Sequence, residues 1–373
     1  MEIANGKISI RQFQILIVLA TIGDSILILP TITASAAKQD AWLVMLVSLA
    51  GGLAVGAMFA MIANRIRGEA SLGVALGKAF GSWIGAVFLL LLTYNFFMCG
   101  LTLLSAMSHF MNTQLMPETP VNAIVIVFLT VIIIACRYGV EAFARMAELL
   151  FPVFFILLLL LLALILPQAD WGRVEPIAAQ GMMPILRGTL TVLSAAFLEM
   201  VVLLTLVPHV VGTGSLTKPI LKSFALGGLL LFAVVLLCVL VLGPNLMESK
   251  YYPTFVLAQK LTIGNFLERM EAIIAFVWII TVFYKTLLLF CAVITGVASL
   301  LKLKDGASLL SIPVGMIMMV LTVVSTPNIT EYNYLLQTYY HWFDLTFCLL
   351  VPALLLTGLL LKGRGSPQGK SEK

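Results

Sequence analysis

A continuous apolar stretch from Phe13 to Ala36 is long enough to cross a bilayer, yet Gly23-Asp24-Ser25 sits in its middle and Pro30 follows within the same stretch. An acid at mid-membrane depth costs about 2.5–3.5 kcal/mol on insertion scales. Proline removes a backbone donor, and glycine lets the chain leave helical geometry. Together they predict a helix broken where unpaired backbone groups face a ligand, the arrangement that membrane carriers use to hold a solute.

The rest of the chain requires lipid around it. Of 373 residues, 61% are hydrophobic and 10% charged, and the mean hydropathy is +1.10. A soluble domain has too little interior to hide that much apolar surface. The net charge of +5 is explained by basic loops beside membrane helices and needs no nucleic-acid partner. Cys99, Cys136, Cys238, Cys291 and Cys348 all lie in apolar segments without a CxxC pair. They read as small buried hydrophobes, so no disulfide framework, metal site or cofactor is implied. Ala34-Ser35-Ala36 imitates a signal-peptide cleavage site, but the preceding stretch is too long for an h-region and is interrupted by Asp24 and Pro30. The first span is therefore expected to stay.

Ten apolar segments reach spanning length, at approximately 12–36, 41–63, 82–111, 121–136, 149–166, 185–208, 220–243, 272–300, 308–326 and 342–361. With the N-terminus cytoplasmic, inner loops and tails hold 15 of the 22 Lys and Arg, outer loops hold 6, and Lys285 lies within a span. That asymmetry places both termini in the cytoplasm. Ten spans divide into two halves of five. Pro30 near the end of span 1 has a counterpart in Pro208 at the end of span 6, and Asp24 has one in Glu199. Matching interruptions in two halves indicate an inverted repeat with its site at the repeat interface. The expectation is one all-α membrane domain over 1–373, with repeats at about 8–167 and 184–362 and a cytoplasmic tail at 363–373.

Asp24, Glu199 and Lys285 are the three ionisable residues that this reading places well inside spans. Intramembrane charges mark ligand or ion pathways by default, and mutual pairing that only holds helices together is the plainer alternative. Lys285 on span 8 would put a fixed ammonium beside span 1, paired with Asp24 or with carbonyls freed by the break, and make a sodium ion unnecessary. Trp278, Thr281 and Lys285 share one helical face. Asn95, Thr102, Ser105 and His109 form a polar stripe on span 3 that suits interhelical hydrogen bonds, with the part near Asn95, Met98 and Cys99 also placed to line a pocket. His109, His209 and His341 near span ends read as interfacial. Gly52 and Gly56 form a GxxxG pattern open to intramolecular packing or dimerisation. The long outer connection at about 244–271 carries Tyr251-Tyr252-Pro253-Thr254 followed by Phe255, Leu257 and Ala258. That pattern suggests a short amphipathic helix on the membrane surface, as a lid or as an inert element. No hydrolase triad, phosphate loop or zinc motif is present in the sequence, so an enzyme is not expected.

At these residues the chain resembles the B subunit of the nutrient-germinant receptors of spore-forming bacteria, a family within the amino acid–polyamine–organocation permease superfamily. Gly23-Asp24-Ser25-Ile26-Leu27-Ile28-Leu29-Pro30 is similar to that family's span 1 motif. Tyr252-Pro253-Thr254, Phe266-Leu267-Glu268-Arg269-Met270-Glu271 and Trp278 match its entry to span 8, and Ala196-Phe197-Leu198-Glu199 with Leu206 and Pro208 match its span 6. The resemblance implies a LeuT-like five-plus-five fold that binds a small nutrient such as an amino acid where spans 1 and 6 unwind. The residues expected to line that site are Gly23, Asp24, Ser25, Ile26, Asn95, Met98, Phe197, Glu199, Thr281 and Lys285. It further implies the spore's inner membrane, a complex with A and C subunits, and binding that triggers germination. A proton-coupled amino acid or polyamine permease and a scaffold subunit with a vestigial site are the competing readings.

Overall fold

The computed structural model describes residues 6–261, 270–303 and 307–364. Its helices are α1 (Ile10–Ile22), α2 (Ser25–Ala37), α3 (Ala41–Ile66), α4 (Leu72–Phe80), α5 (Ser82–Phe110), α6 (Val121–Tyr138), α7 (Val140–Ile165) and α8 (Met182–Val192). They continue with α9 (Thr217–Leu242), α10 (Pro244–Ser249), α11 (Pro253–Gln259), α12 (Glu271–Leu300), α13 (Ser311–Ser325), α14 (Ile329–Leu335), α15 (His341–Asp344) and α16 (Val351–Arg364). Among the described residues, nine helical stretches are long and apolar enough to cross a membrane. One of them, Ser25–Ile66, contains 42 residues. At 1.5 Å per residue a straight helix of that length measures about 63 Å, about twice a bilayer core. The stretch is turned at Lys38, whose φ is 52°. It therefore comprises the second half of span 1 and all of span 2, and α1 supplies the first half.

Span 1 breaks where the sequence reading puts it. Gly23 ends α1 with φ 36° and ψ −128°, and its N–H closes on Leu19 O at 2.9 Å. A side chain at this positive φ would be strained, and a methyl group there would also run into Lys285. Asp24 then starts α2. Span 6 breaks differently: α8 widens into a π turn over Leu193–Phe197 and tightens into 3-10 geometry over Leu198–Thr205. The change of pitch frees carbonyls without a coil segment.

Small residues allow close packing around these two spans. A methyl group at Gly52 on α3 would overlap the ring of Phe197, and Phe197 stacks on Phe224 of α9 with ring centres 6.0 Å apart. The GxxxG pair thus faces neighbouring helices of the same chain. Both ends of the broken span α1–α2 are fastened. At the N-terminal end, Ile8 forms a parallel bridge with Val210, Gln12 reaches Glu148 at 3.0 Å and Arg11 pairs with Glu148. At the opposite end, Lys38 pairs with Glu248 and the Thr31 hydroxyl donates to Lys250 O at 2.7 Å.

Three expectations need correction. The segment after Tyr252 forms α11, but Pro253, Thr254, Phe255, Leu257 and Ala258 are all buried; it packs between helices and does not lie on a membrane surface. His109 is buried rather than interfacial, with Nε2 3.1 Å from Thr326 O and its ring against Tyr332. The last helical stretch begins at Ile329, not near 342. The Phe266–Arg269 part of the span 8 motif and tail residues 365–373 lie outside the described residues.

Candidate functional site

The break in span 1 faces the pitch change in span 6 across α12. Lys285, with none of its surface exposed, points its Nζ at both. It lies 2.7 Å from Asp24 Oδ1, 2.5 Å from Glu199 Oε2 and 3.2 Å from Ala195 O. Of the two alternatives for its partner, Asp24 receives it; the carbonyl that also receives it belongs to span 6 and not to the break in span 1. Isolated, such a charge would cost several kcal/mol to bury. Its hydrogen bonds go to Asp24 and Ala195 O, and Glu199 Oε2 adds a second ion-pair contact.

The same carbonyls receive neighbouring hydroxyls. Ser25 Oγ donates to Ala195 O at 3.3 Å, and one helical turn before Lys285, Thr281 Oγ1 donates to Gly23 O at 2.8 Å. Proline at position 30 leaves Ile26 O without its intrahelical donor, and Thr254 Oγ1 supplies one at 2.6 Å. Trp278, on the lysine's face of α12, packs 4.5 Å from Phe110, which also meets Tyr252 and Phe255 edge-on. These aromatic rings wall off one side of the break.

A small cavity of about 20 Å³ adjoins the ionic cluster, lined by Asp24, Glu199, Thr102, Ser194, Tyr340 and His341 among others. Its volume accommodates about one water molecule. Of the ten residues expected at the site, Asp24 and Glu199 line this cavity. Gly23, Ser25, Ile26, Thr281 and Lys285 form the bonded ring beside it. Phe197 turns away onto Phe224, and Met98 is half-buried elsewhere on α5. Asn95 is buried and accepts from Cys348 Sγ at 3.2 Å.

The span 3 stripe makes the interhelical contacts its spacing suggested. Thr102 meets Tyr340 at 3.2 Å, and Ser105 meets Thr326 at 2.6 Å. Two residues of the cluster escaped the sequence reading. Tyr340 donates to Glu199 Oε1 at 2.6 Å, and the fully buried Asp344 accepts from Ser194 Oγ at 2.5 Å. A span drawn to start at 342 leaves Tyr340 in a loop and Asp344 at a membrane edge. The Asn328 side chain, which caps α14 by accepting from Glu331 N, was the signal for the earlier start.

The comparisons with known proteins agree with this architecture. The family described as Spore germination protein matches residues 7–330. Spore germination protein KB of Bacillus subtilis (strain 168) is 27% identical, covering 99% of this chain and 98% of the relative. Spore germination protein XB of Bacillus anthracis is 24% identical, covering 81% of this chain and 84% of its own length. Among solved structures, Mhp1, a nucleobase-cation-symport-1 family transporter closed around bromovinylhydantoin, superposes with a TM-score of 0.72 at 14% identity, over 98% of this chain and 82% of that one. MhsT in complex with L-phenylalanine gives 0.63 at 13% identity, over 94% and 97%. At those identities the match shows the fold, a LeuT-like all-helical membrane protein.

Proposed function

This chain belongs to the spore germination protein family, and we propose that it is the membrane subunit of a nutrient-germinant receptor. In this reading it binds a small nutrient such as an amino acid between the broken spans 1 and 6. It resides in the spore's inner membrane with both termini cytoplasmic, works with A and C subunits, and triggers germination when the nutrient binds. The observation that carries the reading is the small cavity at the meeting point of the two breaks, with Asp24 and Glu199 in its wall and Lys285 tying them together. A ring of bonds that holds two broken helices in one arrangement is a bistable element, and a ligand inserted there biases it.

The test fills the cavity. Ala195 lines it, so Ala195→Leu should abolish the germination response to the cognate nutrient while the protein stays at its normal level in the spore membrane. A normal response in such spores would place the ligand elsewhere. A proton-coupled permease is the second reading, favoured by the same buried acids. Uptake of a labelled amino acid by vesicles containing this chain alone would support it over a pure sensor.

A further inference from the structure

Beyond Lys285 and its two partners, a third buried acid is present. Asp344 on α15 is fully buried, and acceptor oxygens of Asp344 and Glu199 lie within 4.8 Å of each other and of Cys99 Sγ. The groups facing Asp344 come from every element packed on it: Glu199 and Ser194 from span 6, Cys99 from α5, Cys348 and Tyr340 from its own stretch, and at longer range Lys285 and Asp24. Only one of these, Lys285, is a cation, and it is spent on Asp24 and Glu199 at 2.7 and 2.5 Å. Among the described residues, the hydrogen-bond partners of Asp344 are the uncharged Ser194 hydroxyl and Cys348 thiol. Three carboxyls therefore surround one ammonium in a site without bulk water.

Two buried carboxylates this close do not both stay ionised; the pair keeps a proton on the member with the poorer compensation. Glu199 has the ammonium and the Tyr340 hydroxyl, so Asp344 has the poorer compensation. A second sign of an incomplete polar site lies alongside. Asn95, with none of its surface exposed, accepts from the same Cys348 thiol that faces Asp344, while its amide nitrogen has no partner. An idle buried donor beside surplus acid marks a place built around exchangeable protons or water.

We infer that Asp344 is a proton-binding site, neutral in this closed arrangement while Glu199 remains the anion bound to Lys285. Binding takes one proton from water and breaks no covalent bond in the protein. Opening the bundle toward either side would expose Asp344 and release that proton, so the site couples conformation to proton occupancy whether the chain senses a solute or moves one.

Infrared difference spectroscopy on the full chain in lipid nanodiscs, exchanged between H₂O and D₂O, reads the neutral carboxyl directly. Wild type at neutral pH should show a protonated-acid carbonyl band that shifts on deuteration. Asp344→Asn should remove the band and Asp344→Glu should displace it. No such band in wild type, or a band removed by Glu199→Gln and kept by Asp344→Asn, overturns the assignment. A stoichiometric metal ion in the purified protein would overturn it too, because a cation held by Cys99, Glu199 and Asp344 would then neutralise the site. Thermal melting supplies a check that does not depend on the band. A proton held only in the folded state makes stability fall as pH rises between the ordinary carboxylate range and neutrality, so from about pH 5 to about pH 7 the wild-type midpoint should gain less, or drop more, than that of Asp344→Asn. Equal slopes also overturn it.

Discussion

The hydroxyl of Thr254 on α11 donates at 2.6 Å to the backbone carbonyl of Ile26 on α2, the carbonyl that Pro30 leaves without a donor. Two sequence signatures far apart in the chain are thus halves of one feature. The proline after the break opens a carbonyl, and the threonine after Tyr252-Pro253 closes it. Because both groups are buried, the bond also ties the second half of span 1 to a segment between spans 7 and 8.

That bond gives the first prediction. Thr254→Val keeps the shape and removes the donor, leaving a buried carbonyl unsatisfied at a cost of about 1–3 kcal/mol. The melting midpoint in detergent should fall measurably, and Thr254→Ser should restore most of it. A loss in Thr254→Ser without one in Thr254→Val would assign the effect to methyl packing instead.

The break itself was legible because its causes are local. Glycine and proline act on their own backbone, and an acid in an apolar run stands out whatever its partners are. Lys285 was legible for the same reason. The start of the last span was not, because Thr338, Tyr339, Tyr340, His341 and Asp344 lower the hydropathy of the stretch. For Tyr340 and Asp344 that polarity is satisfied inside the bundle, by Glu199 and Ser194, and no window along the sequence contains that information. Burial of α11 was hidden similarly. Its apolar face fits a membrane surface as well as a cleft between helices, and only tertiary packing decides between them.

Tyr340 yields a second prediction. Its hydroxyl supports Glu199 at 2.6 Å, and a hydrogen bond to a charged group contributes about 1.5–3 kcal/mol. Tyr340→Phe should therefore lower thermal stability. Added to Glu199→Gln, it should cost less than it does alone, because the charge it supported is gone. Strict additivity in that double-mutant cycle would show that the two side chains do not interact.

A third concerns pH at the N-terminal end of span 1. His209, just beyond span 6, has its Nδ1 3.0 Å from Gly6 O. Burial pushes its imidazole below the ordinary value of 6.5, against the opposing pull of that hydrogen bond. The folded state therefore binds fewer protons here than the unfolded chain, so this contribution is complete above about pH 6.5 and is lost as pH falls through the lowered value. Between about pH 7.5 and pH 5.5, amide protection at Ile8 and Val211, relative to the intrinsic exchange rate at each pH, should fall in wild type more than in His209→Asn. An identical pH response in the variant would remove His209 as the cause.

The fourth prediction tests the ion cluster as a unit. Lys285→Met strands two buried acids, Asp24 and Glu199, each within 2.7 Å of the lost ammonium. Breaking a buried pair by removing one partner costs about 3–5 kcal/mol, whereas replacing all the charges with neutral groups of similar size is close to neutral. Lys285→Met should therefore collapse both membrane abundance and the nutrient response. Adding Asp24→Asn should recover part of the abundance, and adding Glu199→Gln as well should recover more, because the geometry gives the lysine two partners rather than one. The response should stay lost in the triple variant if the charges act on the ligand, and should return with abundance if they only hold the helices together. A sodium requirement in wild type, or a double variant no more abundant than Lys285→Met alone, would show that Lys285 is not the cation that completes span 1.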